Sequence, residues 1–144
     1  MLTQLLAALC LMGACVVIHA SGMASVLRTL RRQASASQQV WGVCWLFVRL
    51  AGWMILLHLG EISVWALFYV WQRAIPELTS ALYFSAVTYT TTGYGDLVLP
   101  QQWRLAGAVE ALTGILMCGW STGFFFAVVS RVVDVKTKAA VTTS

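Results

Sequence analysis

Charged residues are scarce in this chain. They make up 10% of its 144 residues, whereas hydrophobic residues make up 60%, and the mean hydropathy is +0.80. Soluble domains average about 25% charged residues. The composition therefore excludes an ordinary soluble domain and favours a protein that crosses a membrane.

Cysteine, histidine and basic residues are also few, and their positions exclude further classes of protein. The four cysteines lie inside apolar runs without metal-ligand spacing, so we expect them to be small buried hydrophobic residues. The net charge of +4 does not indicate a nucleic-acid partner, because the basic residues cluster at the ends of apolar segments. His19 and His58 have no nucleophile or metal-ligating partner in their sequence context, which argues against an enzyme.

Three long apolar segments predict three transmembrane helices. The first runs from Leu2 to about Met23, which is enough to cross about 30 Å of hydrocarbon, and we assign residues 1–24 to it. The second helix is predicted at 41–72 and the third at 103–131. None of the three carries arginines at every third position, so a voltage sensor is not expected.

A cleaved signal peptide is the alternative for the first segment, since the stretch Ala-Ser-Gly-Met-Ala near residues 20–24 offers small residues. Such a peptide normally begins with a basic region. The chain begins Met-Leu-Thr-Gln, with no lysine or arginine. A retained helix is therefore the favoured interpretation.

A fourth apolar segment, Leu78–Val87, is too short to span a membrane. We predict a helix at 77–88 that enters from the outside and stops in the middle of the membrane. Pro76 suits the first turn of this helix, where its missing N–H costs nothing. Pro100 prevents a helix in the chain that returns to the surface.

Basic residues also predict the orientation of the chain. One group is expected on the cytoplasmic side: Arg28, Arg31, Arg32, Arg131, Lys136 and Lys138. Arg73 and Arg104 lie on the opposite side, so the amino terminus is outside and the carboxyl terminus inside. Residues 25–40 then form a cytoplasmic linker and 134–144 a cytoplasmic tail. The alternative to a role in orientation alone is a contact with lipid headgroups.

Two ionisable residues lie deep in the second span. His58 and Glu61 are three residues apart and share one helical face. Ionisable groups at such depth usually face the protein interior and find partners. We predict that these two residues form a hydrogen bond with each other or with another helix and so hold the bundle together. The alternative is that they take part in proton-sensitive gating.

The most informative stretch is Thr88–Asp96, which reads Thr-Tyr-Thr-Thr-Thr-Gly-Tyr-Gly-Asp; we call it the signature segment. Gly93 and Gly95 lack a Cβ and permit backbone conformations that other residues resist. Irregular backbone at membrane depth is tolerated only where it is buried in protein or lines a water-filled path. The segment is therefore either a re-entrant pore element or an ordinary external loop.

The signature segment resembles the T-x-x-T-x-G-Y-G-D motif of potassium channels. The motif's fixed positions are all matched: Thr88, Thr91, Gly93, Tyr94, Gly95 and Asp96. The resemblance covers about 41–131. It implies an all-α membrane fold in which three transmembrane helices, a re-entrant pore helix and a filter loop assemble as a tetramer.

The resemblance also implies how the ion is bound. Backbone carbonyls of the filter replace the hydration shell of K⁺, together with the Thr91 hydroxyl. The ion-binding residues are Thr91, Thr92, Gly93, Tyr94 and Gly95. Threonine at 92 departs from the valine or isoleucine usual in the family, and its additional hydroxyl needs a partner when buried.

Four further residues are expected to support the filter: Tyr83, Thr88, Asp96 and Glu110. Asp96 would lie at the outer mouth, and Tyr83 takes the place of a family tryptophan that donates to that aspartate, so we predict a Tyr83–Asp96 hydrogen bond. Glu110 is expected to bond behind the filter, to the hydroxyl of Thr88 or Thr92.

The third span resembles the pore-lining helix of the family. Gly114 lies at the position of a hinge glycine, although close helix packing is the simpler explanation of it and of Gly119 and Gly123. Thr122, Phe126 and Ser130 recur every four residues and share a face, which we place on the ion path. Phe126 could form a hydrophobic constriction that gates by dewetting.

The resemblance implies a K⁺-selective channel in the plasma membrane, and the short chain together with the family likeness suggests a bacterial source. One motif per chain requires a homotetramer, since the filter needs four loops. Membrane lipids are the other expected partners, and neither a nucleic acid nor a soluble ligand is expected. The alternatives are a cation channel that barely separates K⁺ from Na⁺ and a non-conducting membrane assembly protein.

Overall fold

The structure, a computed structural model, describes residues 2–33 and 40–142, with side chains described for 2–28 and 41–131. Every regular element in these ranges is helical. In chain order they are α1 (Leu2–Gln33), α2 (Val40–Trp71), α3 (Leu78–Tyr89), a short 3₁₀ turn (Gln101–Trp103) and α4 (Arg104–Thr142).

Three of these helices are long and apolar enough to cross a membrane. Their apolar stretches are Leu2–Arg28, Trp41–Trp71 and Gln101–Arg131. The predicted all-α fold with three spans is confirmed. α3 lies between α2 and α4 in sequence and packs against both of them, whereas α1 packs against α2 and α4.

Two helices are longer than the predicted spans. α1 ends at Gln33 rather than near Met23, and α4 continues to Thr142 through most of the predicted tail. The sequence prediction places the end of each helix at the end of its apolar run, where the chain leaves the membrane. A helix can continue beyond the membrane surface. Residues 24–33 and 132–142 contain neither glycine nor proline, so nothing in the chain interrupts helical hydrogen bonding there. The rest of the predicted linker, 34–39, and the last two residues of the tail lie outside the described residues.

The start of α3 differs slightly from the prediction. Glu77 is the N-cap and Leu78 the first helical residue, so Pro76 precedes the helix instead of lying in its first turn. The helix ends at Tyr89, one residue beyond the predicted end. Shifts of one or two residues are usual at helix ends, where few hydrogen bonds fix the chain.

An aromatic cluster fixes α3 and the start of α4 against α2. The rings of Tyr69 and Phe84 lie 5.5 Å apart, and those of Phe68 and Trp103 lie 5.3 Å apart, both in edge-to-face arrangements. Such pairs contribute about 0.5–1.5 kcal/mol beyond the burial of their area. The cluster therefore positions the short helix that leads into the signature segment.

The cysteine prediction was wrong for three of the four residues. Only Cys15 is buried, whereas Cys10, Cys44 and Cys118 are exposed on the single chain, and all four are free thiols. In a membrane an apolar side chain can face lipid or another chain as readily as the interior. An apolar sequence context therefore did not require burial within one chain.

Candidate functional site

The backbone of the signature segment takes an alternating conformation after α3 ends. Thr91, Gly93 and Gly95 have positive φ angles of 58°, 51° and 78°, whereas Thr92 and Tyr94 do not. Glycine adopts such angles freely, but a β-branched threonine does so only under constraint. Alternation between the two signs of φ allows successive carbonyls to point to the same side of the chain. Strain of this kind concentrates at functional sites.

The same segment is exposed on the isolated chain. Residues 90–96 are all exposed, and the side chain of Tyr94 is 72% exposed. This polar backbone lies between membrane-spanning helices, where groups without water need protein partners. The exposed surface of residues 90–96 must therefore face either water or another protein chain.

A hydrogen bond ties the end of the segment back to α3. The hydroxyl of Tyr83 donates to Oδ2 of Asp96 over 2.7 Å, which confirms the predicted bond. Donation to the carboxylate raises the pKa of Tyr83; a phenol is in any case protonated at neutral pH, since its ordinary pKa is about 10. The contact fixes the distance between the middle of α3 and the last residue of the segment.

Thr92, which stands where the family usually has valine or isoleucine, has a hydrogen-bond partner for its hydroxyl. The Thr90 hydroxyl donates to the carbonyl of Ala86 over 2.7 Å. Its oxygen lies 3.0 Å from the Thr92 hydroxyl, which is therefore the donor in that contact. The hydroxyl that distinguishes Thr92 from valine is thus connected through Thr90 to the last turn of α3.

Glu110 has a different partner from the one predicted. Its Oε2 accepts a hydrogen bond from the hydroxyl of Tyr69 on α2 over 2.9 Å, not from Thr88 or Thr92. The carboxylate is fully buried. Within the described part of the chain, neither its Oε1 nor the buried Oγ of Ser85 on α3 makes a hydrogen bond of normal geometry, although Ser85 is close enough to act on the Glu110 carboxyl group. The rotation of α4 about its axis decides this contact, and an apolar sequence does not indicate that rotation.

Gly114 lies where α4 meets the end of α3. A Cβ at this position would lie 1.8 Å from the carbonyl oxygen of Tyr89. The glycine is therefore required for close packing. A hinge at the same position stays a prediction.

The face of α4 that was placed on the ion path is largely free in the single chain. Thr122 and Phe126 are exposed and Ser130 is half-buried; the side chain of Phe126 is 71% exposed. The Thr122 hydroxyl donates to the carbonyl of Cys118 within α4. The three residues are thus available to line a space outside the chain.

A second polar cluster lies in the middle of the bundle and joins all four helices. Glu61 is fully buried, with Nδ1 of His19 2.8 Å from its Oε1 and Nδ1 of His58 3.5 Å from its Oε2. The Tyr89 hydroxyl donates to Glu61. Ser121 lies beside the other nitrogen of each imidazole. The prediction that His58 and Glu61 make interhelical hydrogen bonds is confirmed, because Glu61 bonds to α1 and α3 and His58 bonds to α3 and α4.

The sequence-based statement that the two histidines lack metal-ligating partners was wrong. His19 and His58 meet Glu61 although His19 lies 42 residues from it along the chain. Nothing in the sequence indicated this contact, because the first span carries one histidine, no carboxylate and no motif. A possible signal was that a lone histidine in a span needs a polar partner elsewhere.

Comparison with known families identifies one match. A family model described as "Ion channel" matches residues 55–131, which is more than half of the chain and includes the signature segment. The matched range excludes α1 and the first part of α2. No curated protein and no solved structure matches the chain.

Proposed function

Because the chain belongs to the ion channel family, we propose that it is a potassium channel in which four identical chains surround one pore. Conduction is passive and has no voltage sensor. The proposed ion-binding residues are the five that follow α3 and its cap: Thr91, Thr92, Gly93, Tyr94 and Gly95.

The alternating backbone of the signature segment carries this proposal. Positive φ angles at Thr91, Gly93 and Gly95 allow carbonyls of neighbouring residues to face one axis. A ring of such neutral dipoles offers a dehydrated K⁺ oxygens in place of its water, without a fixed charge that would trap the ion. The carboxyl end of α3 adds a partial negative charge beside the same path.

The proposed tetramer follows from the exposure of the segment. One chain supplies ligands from one side only, and a closed ring of carbonyls needs four copies around a symmetry axis. The exposed Tyr94 side chain would then pack against the neighbouring chain, and its carbonyl would face the axis.

The hydrogen bonds behind the segment support selectivity for K⁺. Tyr83 bonds to Asp96 and Thr92 is connected to Thr90, so both halves of the segment are tied to α3. Thr88 lies in the last turn of α3 and belongs to the same support. A weakly selective cation channel would be expected if the Thr92 hydroxyl had no partner and loosened the segment.

α4 would supply the gate and the wall of the cavity. Thr122, Phe126 and Ser130 would line the ion path, and Gly114 allows α4 to approach α3 closely. The basic residues near the ends of α1 and α4 would lie on the cytoplasmic side of the plasma membrane. The amino terminus would then be outside.

The deciding experiment is ion flux into liposomes that contain the purified protein. We expect K⁺ flux to exceed Na⁺ flux and to be blocked by barium. Reversal potentials in mixed K⁺ and Na⁺ measure the selectivity. Equal permeability would favour a weakly selective channel. A lack of flux from correctly assembled protein would favour a membrane assembly protein instead.

A further inference from the structure

The cluster of His19, His58 and Glu61 has the composition of a metal site. Its three ligand atoms lie within 4.8 Å of one another. Two imidazoles and one carboxylate are a known ligand set for Zn²⁺, with ligand bonds of about 2.0–2.2 Å. Tetrahedral bonds of that length place neighbouring ligand atoms about 3.4 Å apart.

The orientation of the two imidazoles fits such a site. Nδ1 of His19 lies 2.8 Å from Oε1 of Glu61, and Nδ1 of His58 lies 3.5 Å from Oε2 of the same carboxylate. These separations lie on either side of the ideal ligand spacing. Because the two imidazoles approach different oxygens of Glu61, the carboxylate must rotate to bring one oxygen to ligand spacing from both Nδ1 atoms; one ligand atom from each of the three residues already lies within 4.8 Å of the others.

Ser121 supplies a hydrogen-bond partner for the ring nitrogen of each histidine that does not face Glu61. Its Oγ lies 3.0 Å from Nε2 of His19 and 3.1 Å from Nε2 of His58. When Nδ1 of both rings binds a metal, both Nε2 atoms carry hydrogen and must donate. One hydroxyl oxygen has two lone pairs and can accept both bonds. Partners of this kind fix the tautomer and orientation of metal ligands.

The site is largely enclosed, and a neighbouring cavity reaches its orienting residue Ser121. His19 and Glu61 are fully buried, whereas the side chain of His58 is 17% exposed. A cavity of about 250 Å³ between α2 and α4 reaches Ser121, with Met54 and Phe125 in its lining. Ser121, which contacts both imidazoles, is the residue of the cluster that this cavity reaches.

We propose that His19, His58 and Glu61 bind a divalent transition-metal ion of the zinc class, with Ser121 orienting both imidazoles. The site joins α1 to α2 through its ligands and reaches α4 through Ser121. The hydroxyl of Tyr89, the last residue of α3, lies 3.0 Å from Nδ1 of His58 and supplies a further oxygen. α1 lies outside the range matched by the family, so this site depends on a helix additional to the common pore.

The test is zinc binding by the full chain, purified, treated with chelator and then titrated with Zn²⁺. Metal content after gel filtration should reach one zinc per chain. Co²⁺ in place of zinc should give the visible absorption of a tetrahedral site. Mg²⁺ should not compete, because it prefers oxygen ligands. The assay is independent of ion flux, so its failure and the failure of the proposed channel function are separate results.

Three variants make the test specific. His19→Asn keeps an N–H donor for Glu61, and we expect it to fold and to lose the stoichiometric zinc. Ser121→Ala should raise the zinc Kd by about 10–100-fold, as other losses of orienting partners do. Replacement of Cys10, Cys44 and Cys118 by alanine removes the exposed thiols and should leave binding unchanged.

Two results would overturn the proposal. One is that correctly assembled wild-type protein binds no stoichiometric zinc at micromolar concentrations. The other is that zinc binding survives His19→Asn but disappears with the three cysteines, since the ion would then be held by thiols. Either result would leave the cluster as a hydrogen-bond network alone.

Discussion

At the scale of single residues, the bond between Tyr83 and Asp96 offers a direct test of the support behind the signature segment. Tyr83→Phe removes the hydroxyl that donates over 2.7 Å and keeps the ring. We expect a lower K⁺ over Na⁺ permeability ratio in liposome flux, because the end of the segment is no longer tied to α3. Asp96→Asn is the matched control: its amide oxygen still accepts the bond, so selectivity should fall less. An unchanged ratio in Tyr83→Phe would show that the bond does not shape the pore.

The buried pair of Tyr69 and Glu110 gives a second prediction at this scale. Tyr69→Phe removes the hydroxyl that donates to Oε2 of the fully buried carboxyl group of Glu110 over 2.9 Å. Loss of a partner from a buried polar group costs about 1–3 kcal/mol. We expect a clear fall in the midpoint of thermal unfolding of the detergent-solubilised protein.

Glu110→Gln is the control for that measurement. The glutamine oxygen can still accept from Tyr69, so the midpoint should change less than in Tyr69→Phe. The opposite order of the two variants would show that the charge of Glu110, rather than its bond to Tyr69, holds this part of the bundle.

The side-chain partners show where sequence reasoning succeeds and where it stops. Tyr83 and Asp96 were paired correctly because a short segment and a family motif together fix their separation. Glu110 was paired wrongly, and the meeting of His19 with Glu61 was missed. Both contacts depend on the rotation of each long helix about its own axis relative to its neighbours. Spans that are apolar on all sides do not indicate which face meets a neighbour.

At the scale of the helices, the contact of α4 with the end of α3 depends on one glycine. In Gly114→Ala the new methyl group would lie 1.8 Å from the carbonyl oxygen of Tyr89, so the two helices must separate. Overpacking of this kind costs about 1–3 kcal/mol. We expect lower thermal stability and altered flux, because Tyr89 immediately precedes the alternating backbone.

Gly52→Ala is the matched control for this variant. Gly52 is also inside a helix, but a Cβ there meets nothing within 4 Å in the chain. Alanine is favoured over glycine in a helix by about 1 kcal/mol, so stability should be kept or increased. Equal destabilisation by both substitutions would show that the approach of α4 to α3 is not the cause.

The lengths of the helices were only partly predictable for a related reason. Hydropathy located all three spans and the short α3, because the thickness of the hydrocarbon sets how many apolar residues are needed. It did not locate the ends of α1 and α4, where helical residues continue past the last apolar run. A helix ends where its hydrogen bonding is interrupted, and the solvent boundary is a different feature.

At the scale of the whole molecule, the isolated chain leaves several surfaces open. Phe126 and Tyr94 are mostly exposed, and so is the rest of the segment from Thr90 onward. Lipid can cover apolar side chains, but it cannot satisfy the carbonyls of irregular backbone. Further copies of the chain and the ions themselves would satisfy these carbonyls.

The number of chains around one pore can be measured by mixing wild-type chains with a variant whose segment cannot take its shape. In Gly93→Ala a side chain is forced to a φ of 51°, which costs about 1–2 kcal/mol and should distort the ring of carbonyls. If four chains share one path and one distorted chain blocks it, an equal mixture keeps about one-sixteenth of the wild-type flux. Independent paths would keep about half, and a pore between two chains about a quarter. Differently tagged chains allow mass spectrometry to verify equal incorporation, and Gly95→Ala, at a φ of 78°, provides a second distorted chain. A residual flux near one-half would rule out the shared axis on which the proposed mechanism of selectivity depends.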